Sequence, residues 1–365
     1  MTGRPRWWSP GAGERELLLA VAATPGRLPS TAADLLSRGR DPAGLLRPDS
    51  PDPAAVGARL RELGVRFLLP GDPEWPLHAV APEPPCAWLF AAGGPIPEPP
   101  ASVAIVGGRR ASPLRCSVAG ALAAALVRSG RAVVSGGAVG VDAAAHRGAI
   151  QAGGATVAVL GCGLDVTYPR ANAAVLARIR RGGGTLVGEH PPGAPPRPAH
   201  FVPRNRLIAS LAAAVVVVEA GARSGSLSTA RAAGSRGAGR VLAVPGSPWD
   251  PGAAGCNDLI RDGAVLVRGV DDVLAELGLD APASAPGGSA PLGREAWRVW
   301  RHLADGFPVA PDRLAVLTGL EPVALARALL ELELAGVAGR SVAGVQARAW
   351  PAAARGHGPV AGRRA

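Results

Sequence analysis

Val103-Ala104-Ile105-Val106-Gly107-Gly108-Arg109-Arg110-Ala111-Ser112-Pro113 is the stretch on which the fold turns. Four apolar residues in a row, bounded by turn residues, read as a short strand buried on both faces. Two glycines end it. Ser112 is placed to cap a helix, Pro113 takes the first helical position, and Gly130 closes the segment. Proline first and glycine last is the asymmetry of a helix: the missing proline N–H has no partner there anyway, and glycine closes in the left-handed conformation without a Cβ clash. Leu114, Val118, Leu122 and Leu126 fall four apart and are expected to form the buried stripe.

The cycle repeats downstream. Strands are expected at 132–135, 156–160, 185–188, 214–219, 241–244 and 264–267, with helices at 141–152, 170–181, 204–212, 226–237, 257–262 and 271–277. Alternating apolar strands and helices of these lengths give an α/β fold, a parallel sheet covered on both faces. Upstream, helical pieces at 14–23, 31–37 and 53–63 form a small module. From 64 to about 94 prolines are dense, and Gly71-Asp72-Pro73-Glu74-Trp75-Pro76 reads as a turn-rich connector. Downstream, 281–290 has linker composition. Helices at 294–304, 310–318 and 321–335, then a hairpin within 337–348, follow the order of a winged helix. The expected domains are a helical module at 1–63, the sheet domain at 64–280, a linker at 281–293, a winged-helix-like domain at 294–350 and a disordered tail at 351–365.

A chain of 365 residues exceeds one ordinary core, and 48% hydrophobic against 18% charged residues describes a globular protein. The formal charge of +11 points to an anionic partner, nucleic acid above all. All 39 basic residues are arginine, amid 50 glycines and 37 prolines, so GC-rich codon usage accounts for part of that excess. Cys86, Cys116, Cys162 and Cys256 show no CxxC spacing, and the six histidines form no HExxH. No metal and no cofactor are therefore expected, and the thiols suit a reducing, cytoplasmic setting. Residues 1–10 hold no apolar signal segment, and the longest run of Val, Ile and Leu, Val215 to Val218, is far too short for a bilayer.

In a doubly wound sheet, ligands bind beyond the carboxyl ends of the strands. Four segments leave strand ends with turn chemistry: Gly107-Gly108-Arg109-Arg110, Ser135-Gly136-Gly137-Ala138, Arg223-Ser224-Gly225-Ser226 and Pro245-Gly246-Ser247. Any one alone is a tight connection. All four on one edge, with Arg109, Arg110 and Arg223 among them, point to a phosphate-bearing ligand. Phe201-Val202-Pro203-Arg204-Asn205-Arg206 adds a paired-arginine element, and guanidinium groups grip phosphates bidentately. Phe201 is a candidate base contact and equally a core residue.

Rival chemistries leave traces that are missing here. Neither Gly107-Gly108 nor Gly136-Gly137 completes GxGxxG, a chain without lysine has no P-loop, and Ser224 lacks a GxSxG elbow. Asp142 reads as a helix-start carboxylate satisfying N–H groups, with a general base as the alternative. His146 reads as a structural hydrogen-bonder, and Glu219 is the carboxylate placed where a catalytic group would sit.

In order along the chain stand 103–112, Ser135-Gly136-Gly137-Ala138-Val139-Gly140-Val141-Asp142-Ala143-Ala144-Ala145-His146, 158–169, Glu189-His190-Pro191-Pro192-Gly193, Arg204-Asn205-Arg206, Arg223-Ser224-Gly225-Ser226-Leu227, Val244-Pro245-Gly246-Ser247 and Gly255-Cys256-Asn257-Asp258-Leu259-Ile260. Together they resemble the DprA/Smf family of DNA-processing proteins over about 64–267. The resemblance implies an extended Rossmann-like domain that binds single-stranded DNA without catalysis, forms a homodimer and loads RecA recombinase onto DNA entering during natural transformation. Carried over by residue, phosphate binding falls to Arg109, Arg110, Arg204 and Arg206 around Asn205, with backbone donors near Gly107, Ser135, Gly136, Ser224, Gly225 and Gly246. Three positions depart from the family pattern: Gly108 for a usual serine, Gly137 for a bulky apolar residue, and Val139 where arginine is frequent. The N-terminal module resembles the family's SAM-like domain loosely, its hairpin reduced to Thr24-Pro25-Gly26-Arg27. With four Phe and one Tyr, binding is expected to be dominated by phosphates and tolerant of sequence.

Two other classes stay open at this point. One is a phosphoribohydrolase-like nucleotide enzyme on a related fold, against which stands the absence of a PGGxGTxxE turn after Glu219. The other is a nucleotide-sensing regulator acting through the C-terminal domain. In that domain the helix at 321–335 offers Glu321, Glu331 and Glu333 against Arg327, which predicts an acidic face suited to a protein partner rather than to DNA.

Overall fold

The computed structural model describes residues 12–24, 32, 42–76, 86–235, 240–279, 292–303, 308–341 and 344–347. The expected linker at 281–290, the tail at 351–365 and nearly all of the expected helix at 31–37 lie outside them. Contacts divide the chain into two units, Met1–Ala111 with Leu122–Ala281 and Ser112–Ala121 with Pro282–Ala365.

The larger unit opens with α1 (Ala12–Ala23) and α2 (Pro53–Leu63). Asp52 caps α2, its carboxylate accepting from the N–H groups of Ala54 and Ala55 at 3.1 and 3.3 Å, and Gly64 ends it at φ 61°. The proline-dense segment that follows keeps its turns at 71–76 but is more than a connector. It holds β1 (Val65–Leu68) and β2 (Leu89–Gly93), an antiparallel pair. Proline punctuation hid the strands from the sequence reading, because the pairing partners are separated by a long loop and neither run alternates cleanly.

The repeating part runs β3 (Ser102–Gly107), α3 (Pro113–Arg128), β4 (Ala132–Ser135), α4 (Val141–Gln151), β5 (Thr156–Leu160), α5 (Ala173–Arg181) and β6 (Thr185–Gly188). It continues through α6 (Pro198–Ser210), β7 (Ala214–Glu219), α7 (Ser226–Gly234), β8 (Arg240–Ala243), α8 (Ala254–Arg261), β9 (Val265–Leu266) and α9 (Val270–Glu276). α6 and α3 depart from expectation. α6 starts at Pro198 and carries Pro203 inside it, where the sequence reading let that proline hold the helix back to Arg204. In α3 the buried residues are Ala119, Leu122, Ala123 and Leu126. Leu114 and Val118 are only half-buried.

Among the described residues the strands of the larger unit form one sheet in the order β1-β2-β6-β5-β4-β3-β7-β8-β9, parallel from β6 to β9. Strand order reverses between β3 and β7, which makes the crevice there the topological switch point. Side chains alternate across the sheet with period two. Val157 and Val159 enter one core cluster, and Ala158 and Leu160 enter the other, which Leu18, Val21 and Leu60 of the N-terminal helices complete. A register shift between Val106 and Gly107 pairs Gly107 with Glu219 and bends the β7 exit.

In the smaller unit α10 (Arg294–Trp300), α11 (Pro311–Thr318) and α12 (Pro322–Leu334) pack with a hairpin of β10 (Ala338–Ser341) and β11 (Gly344–Ala347). The face of α12 is not acidic as expected. Glu331 accepts from the Gly293 N–H and Glu333 pairs with Arg340 at 2.7 Å, leaving Val323, Leu330 and Leu334 outermost. Among the described residues no helix is long and apolar enough to cross a membrane.

Candidate functional site

The carboxyl ends of β3, β4 and β5 surround a cleft of about 90 Å³. Arg109 comes from the β3 exit, Gly136, Gly137 and Ala138 from the β4 exit, and Gly161 and Cys162 from the β5 exit. Tyr168, Phe201 and Arg204 complete the wall. The Arg109 guanidinium lies 5.5 Å from the Phe201 ring centroid, Arg204 lies 5.8 Å from it, and the Tyr168 ring stands 5.6 Å away. Phe201 is therefore sandwiched within a cationic, aromatic wall.

Glycine at two positions is dictated by this geometry. A Cβ on Gly136 would stand 2.7 Å from the Asp142 carboxylate and 2.9 Å from the Arg204 guanidinium. Gly140, at φ 81°, would drive its Cβ into the carbonyl oxygen of Gly108, so the β4 exit and the β3 exit touch backbone to backbone.

The paired arginines of α6 have surroundings unlike an open phosphate ligand. Arg204 is buried. Its guanidinium donates to the carbonyl oxygen of Gly136 at 2.6 Å and to that of Val159, and its Nε donates to Asn205. Burial pushes Arg204 down to about 10, against the upward pull of Asp142. Arg206 donates to Glu189 at 2.6 Å, a pair in which the carboxylate is almost wholly buried. Burial raises the Glu189 carboxyl despite Arg206. Asn205 ties α6 to the β7 exit, donating to the Gly225 carbonyl at 3.1 Å and to Ser228 Oγ at 2.7 Å.

Several expected backbone donors are likewise engaged. The Gly136 and Ala138 N–H groups serve the Asp142 carboxylate, which burial raises overall. That is the helix-start role expected of it. The Gly246 N–H donates to Asn257 Oδ1 at 3.1 Å, and Asn257 donates back to the Gly246 carbonyl. Gly107 is a close-packing position, its Cβ direction 2.7 Å from Val141. Ser135 Oγ donates to the Ile105 carbonyl at 2.6 Å. Ser224 and Ser226 hydrogen-bond each other at 2.8 Å where the turn opens α7.

What the edge leaves available is the exposed set Arg109, Arg110 and Arg223, with Gly225 at its rim. No carboxylate among the described residues pairs with these three arginines. Acid–base groups near the cleft are committed to structure. His146 is buried at 2.8 Å from Thr156 Oγ1 and pushed down to about 3 by burial, with Arg204 and Arg147 adding to the shift. The Cys162 thiol is pushed up to about 11, chiefly by burial. His190 stacks on His200 with centroids 4.0 Å apart, and burial first, then His200 and Arg206, push it down to about 4. Among the described residues no cluster of metal-ligating side chains occurs. Tyr168 and Asn257 were passed over as site residues in the sequence, although both lie in the quoted motifs.

Residues 66–278 match the family model described as DNA recombination-mediator protein A, and residues 282–344 match the DprA winged helix domain. The chain is 41% identical over 300 residues to the putative DNA processing protein DprA of Mycobacterium tuberculosis H37Rv, covering 76% of each. Solved structures resemble it as well. DNA processing protein A from Streptococcus pneumoniae gives a TM-score of 0.56 at 32% identity, covering 72% of this chain and 95% of that one. DNA processing protein A from Helicobacter pylori, solved for its single-stranded DNA binding mode, gives 0.51 at 28%, covering 58% and 95%.

Proposed function

This chain belongs to the DprA/Smf family of DNA-processing proteins, and from that premise we propose that it binds single-stranded DNA across the carboxyl edge of its sheet, without catalysis. In this reading it acts in the cytoplasm as a homodimer, protects incoming DNA and loads RecA recombinase during transformation and recombination. The observation that carries the reading is the cleft itself. Arg109 lies over Phe201 beside a concave edge where Arg110 and Arg223 face solvent without carboxylate partners. Guanidinium groups track phosphates, and aromatic rings accept bases of any identity. The wall arginine Arg204 positions this surface through Gly136 and Val159 rather than by meeting phosphate alone. Arg206 supports α6 from below through Glu189, and Asn205 holds the β7 exit against it.

A non-catalytic role is supported by where the titratable groups stand. Asp142, Glu189 and His146 are buried and hydrogen-bonded within the fold, and the Cys162 thiol is held protonated. The proposed division of labour assigns DNA to 64–280, a helical accessory module to 1–63, and a protein contact to the winged-helix domain at 294–350.

Titrating labelled poly-dT and an equal-length duplex at several salt concentrations tests the binding. Preference for poly-dT with a negative log–log salt slope is expected, and equal weak binding to both would overturn it. RecA loading is tested by strand exchange on single strands precoated with single-strand-binding protein; no stimulation by this protein would remove that part. Release of free base from nucleotides by the pure protein, lost in Glu219→Gln with DNA binding intact, would replace the non-catalytic reading with an enzymatic one.

A further inference from the structure

Trp249 is 91% exposed. Trp75, Trp88 and Trp300 are at most 2% exposed, which is the usual fate of so large an apolar side chain. The loop that carries Trp249 leaves the carboxyl end of β8, on the same edge as the cleft. It is a built loop. Ser247 Oγ accepts from the Trp249 N–H at 3.2 Å, and its carbonyl accepts from the Asp250 N–H at 3.0 Å. Asp250 is tied back by the Gly252 N–H at 2.8 Å, and the reciprocal Gly246–Asn257 pair anchors the base of the loop.

The same loop is bolted to the β7 exit. The Gly255 N–H donates to the Ala220 carbonyl at 2.7 Å, and a Cβ on Gly221 would meet the Pro251 carbonyl at 3.2 Å. The β7 exit carries Arg223, exposed and without a carboxylate partner. From β3 to β8 is two strand steps, about 10 Å, so the indole stands across the switch point from Arg109 with Arg223 between them in strand order.

Resting on the single-stranded DNA reading above, we infer that Trp249 is a second stacking platform, taking an unpaired nucleobase of a strand that crosses the switch point from the β3–β5 cleft over Arg223. A flat aromatic with few rotatable bonds, held outward by a hydrogen-bonded turn, offers base contact at little entropic cost. Arg109, Arg110 and Arg223 supply the complementary charge. Asp250 beside it accepts the Gly252 N–H through Oδ1.

The test compares full-length wild type, Trp249→Ala, Trp249→Phe and Arg109→Ala by anisotropy of fluorescein-labelled dT oligonucleotides at several salt concentrations. Sedimentation is run on each protein. Trp249→Ala is expected to weaken dT binding about tenfold with the salt slope unchanged, because a stack is lost and no phosphate contact is. Trp249→Phe is expected to recover most of the loss. Wild-type affinity in Trp249→Ala, with Arg109→Ala weakened, would overturn this inference and leave the DNA reading standing. No binding of dT by the wild type would sink both. A loss that tracks a change of Trp249→Ala from dimer to monomer would assign the indole to a contact between copies and overturn the stacking role.

Discussion

Arg204 of α6 and Arg109 of the β3 exit both flank the Phe201 ring, and the fold uses them in opposite ways. Arg204 is sunk among main-chain carbonyls, with the Asp142 carboxylate on the same side of Gly136. Arg109 stands exposed with no carboxylate opposite. A guanidinium has five donors in a fixed fork, so one surrounded by carbonyls has been committed to holding chain segments together. One on a loop tip keeps its fork for a ligand. Neighbourhood, more than residue type, separates a structural arginine from a binding one.

The strongest blow to this contrast comes from Arg204→Ala. It removes the guanidinium that the Gly136 and Val159 carbonyls accept from and takes from Asp142 the cation beside it, a loss of about 3 kcal/mol at about 1.5–3 kcal/mol per hydrogen bond to a charged group. Urea denaturation checks it. A stability loss below about 1 kcal/mol would mean that Arg204 is no structural post.

Arg109→Ala is expected to do the reverse. Single-strand affinity falls about tenfold for one charge-assisted contact of about 1.5 kcal/mol, and the log–log salt slope drops by about 0.7. Its melting temperature should stay within about 2 °C, as for a surface change. An unaltered slope would move the phosphate path away from the β3 exit.

The buried side of the comparison also has a pH signature. His146 is held near 3 against an ordinary 6.5, so between those values the unfolded chain binds a proton that the native one does not. Its contribution to stability is lost as pH falls through that window, at up to about 1.4 kcal/mol per pH unit. Asp142 and Glu189, raised by burial, act in the opposite direction on acidification, so the wild-type curve alone mixes the two. His146→Gln separates them: its stability deficit against wild type should narrow from pH 7 to pH 5 in paired thermal melts. A deficit that stays constant would show that His146 takes up its proton in the folded state.

The smallest effect is expected in the winged-helix unit. Arg327 is the basic residue of α12, beside an outer face of Val323, Leu330 and Leu334. Arg327→Ala should change single-strand affinity less than twofold in the same titrations. A loss matching that of Arg109→Ala would give this unit a share of the strand.

The α/β rhythm was legible nearly to the residue: β4, β5, β6 and β7 stand where the apolar runs place them. Local patterning suffices there because a strand buried on both faces announces itself in its own few residues. β1 and β2 were missed because their evidence is the partner strand, not the run. The same limit governs the site. Arg204 and Arg206 read as a phosphate grip because a linear pattern does not say which carbonyl or carboxylate will face them. Trp249 was overlooked while stacking capacity was counted in Phe and Tyr. Its setting, Ser247-Pro248-Trp249-Asp250-Pro251, could not decide the matter, since Trp75 is framed by the same kind of turn residues and is fully buried.

Gly140 has a bearing on how this edge can change under mutation. The added methyl of an alanine there would press on the peptide linking Gly108 to Arg109, and that peptide aims the guanidinium. A substitution in one loop would thus be felt as a misdirected cation in another, with no contact between the new side chain and DNA. Variant screens that score only residues touching the ligand would file such a change as silent, although it acts on the proposed binding edge.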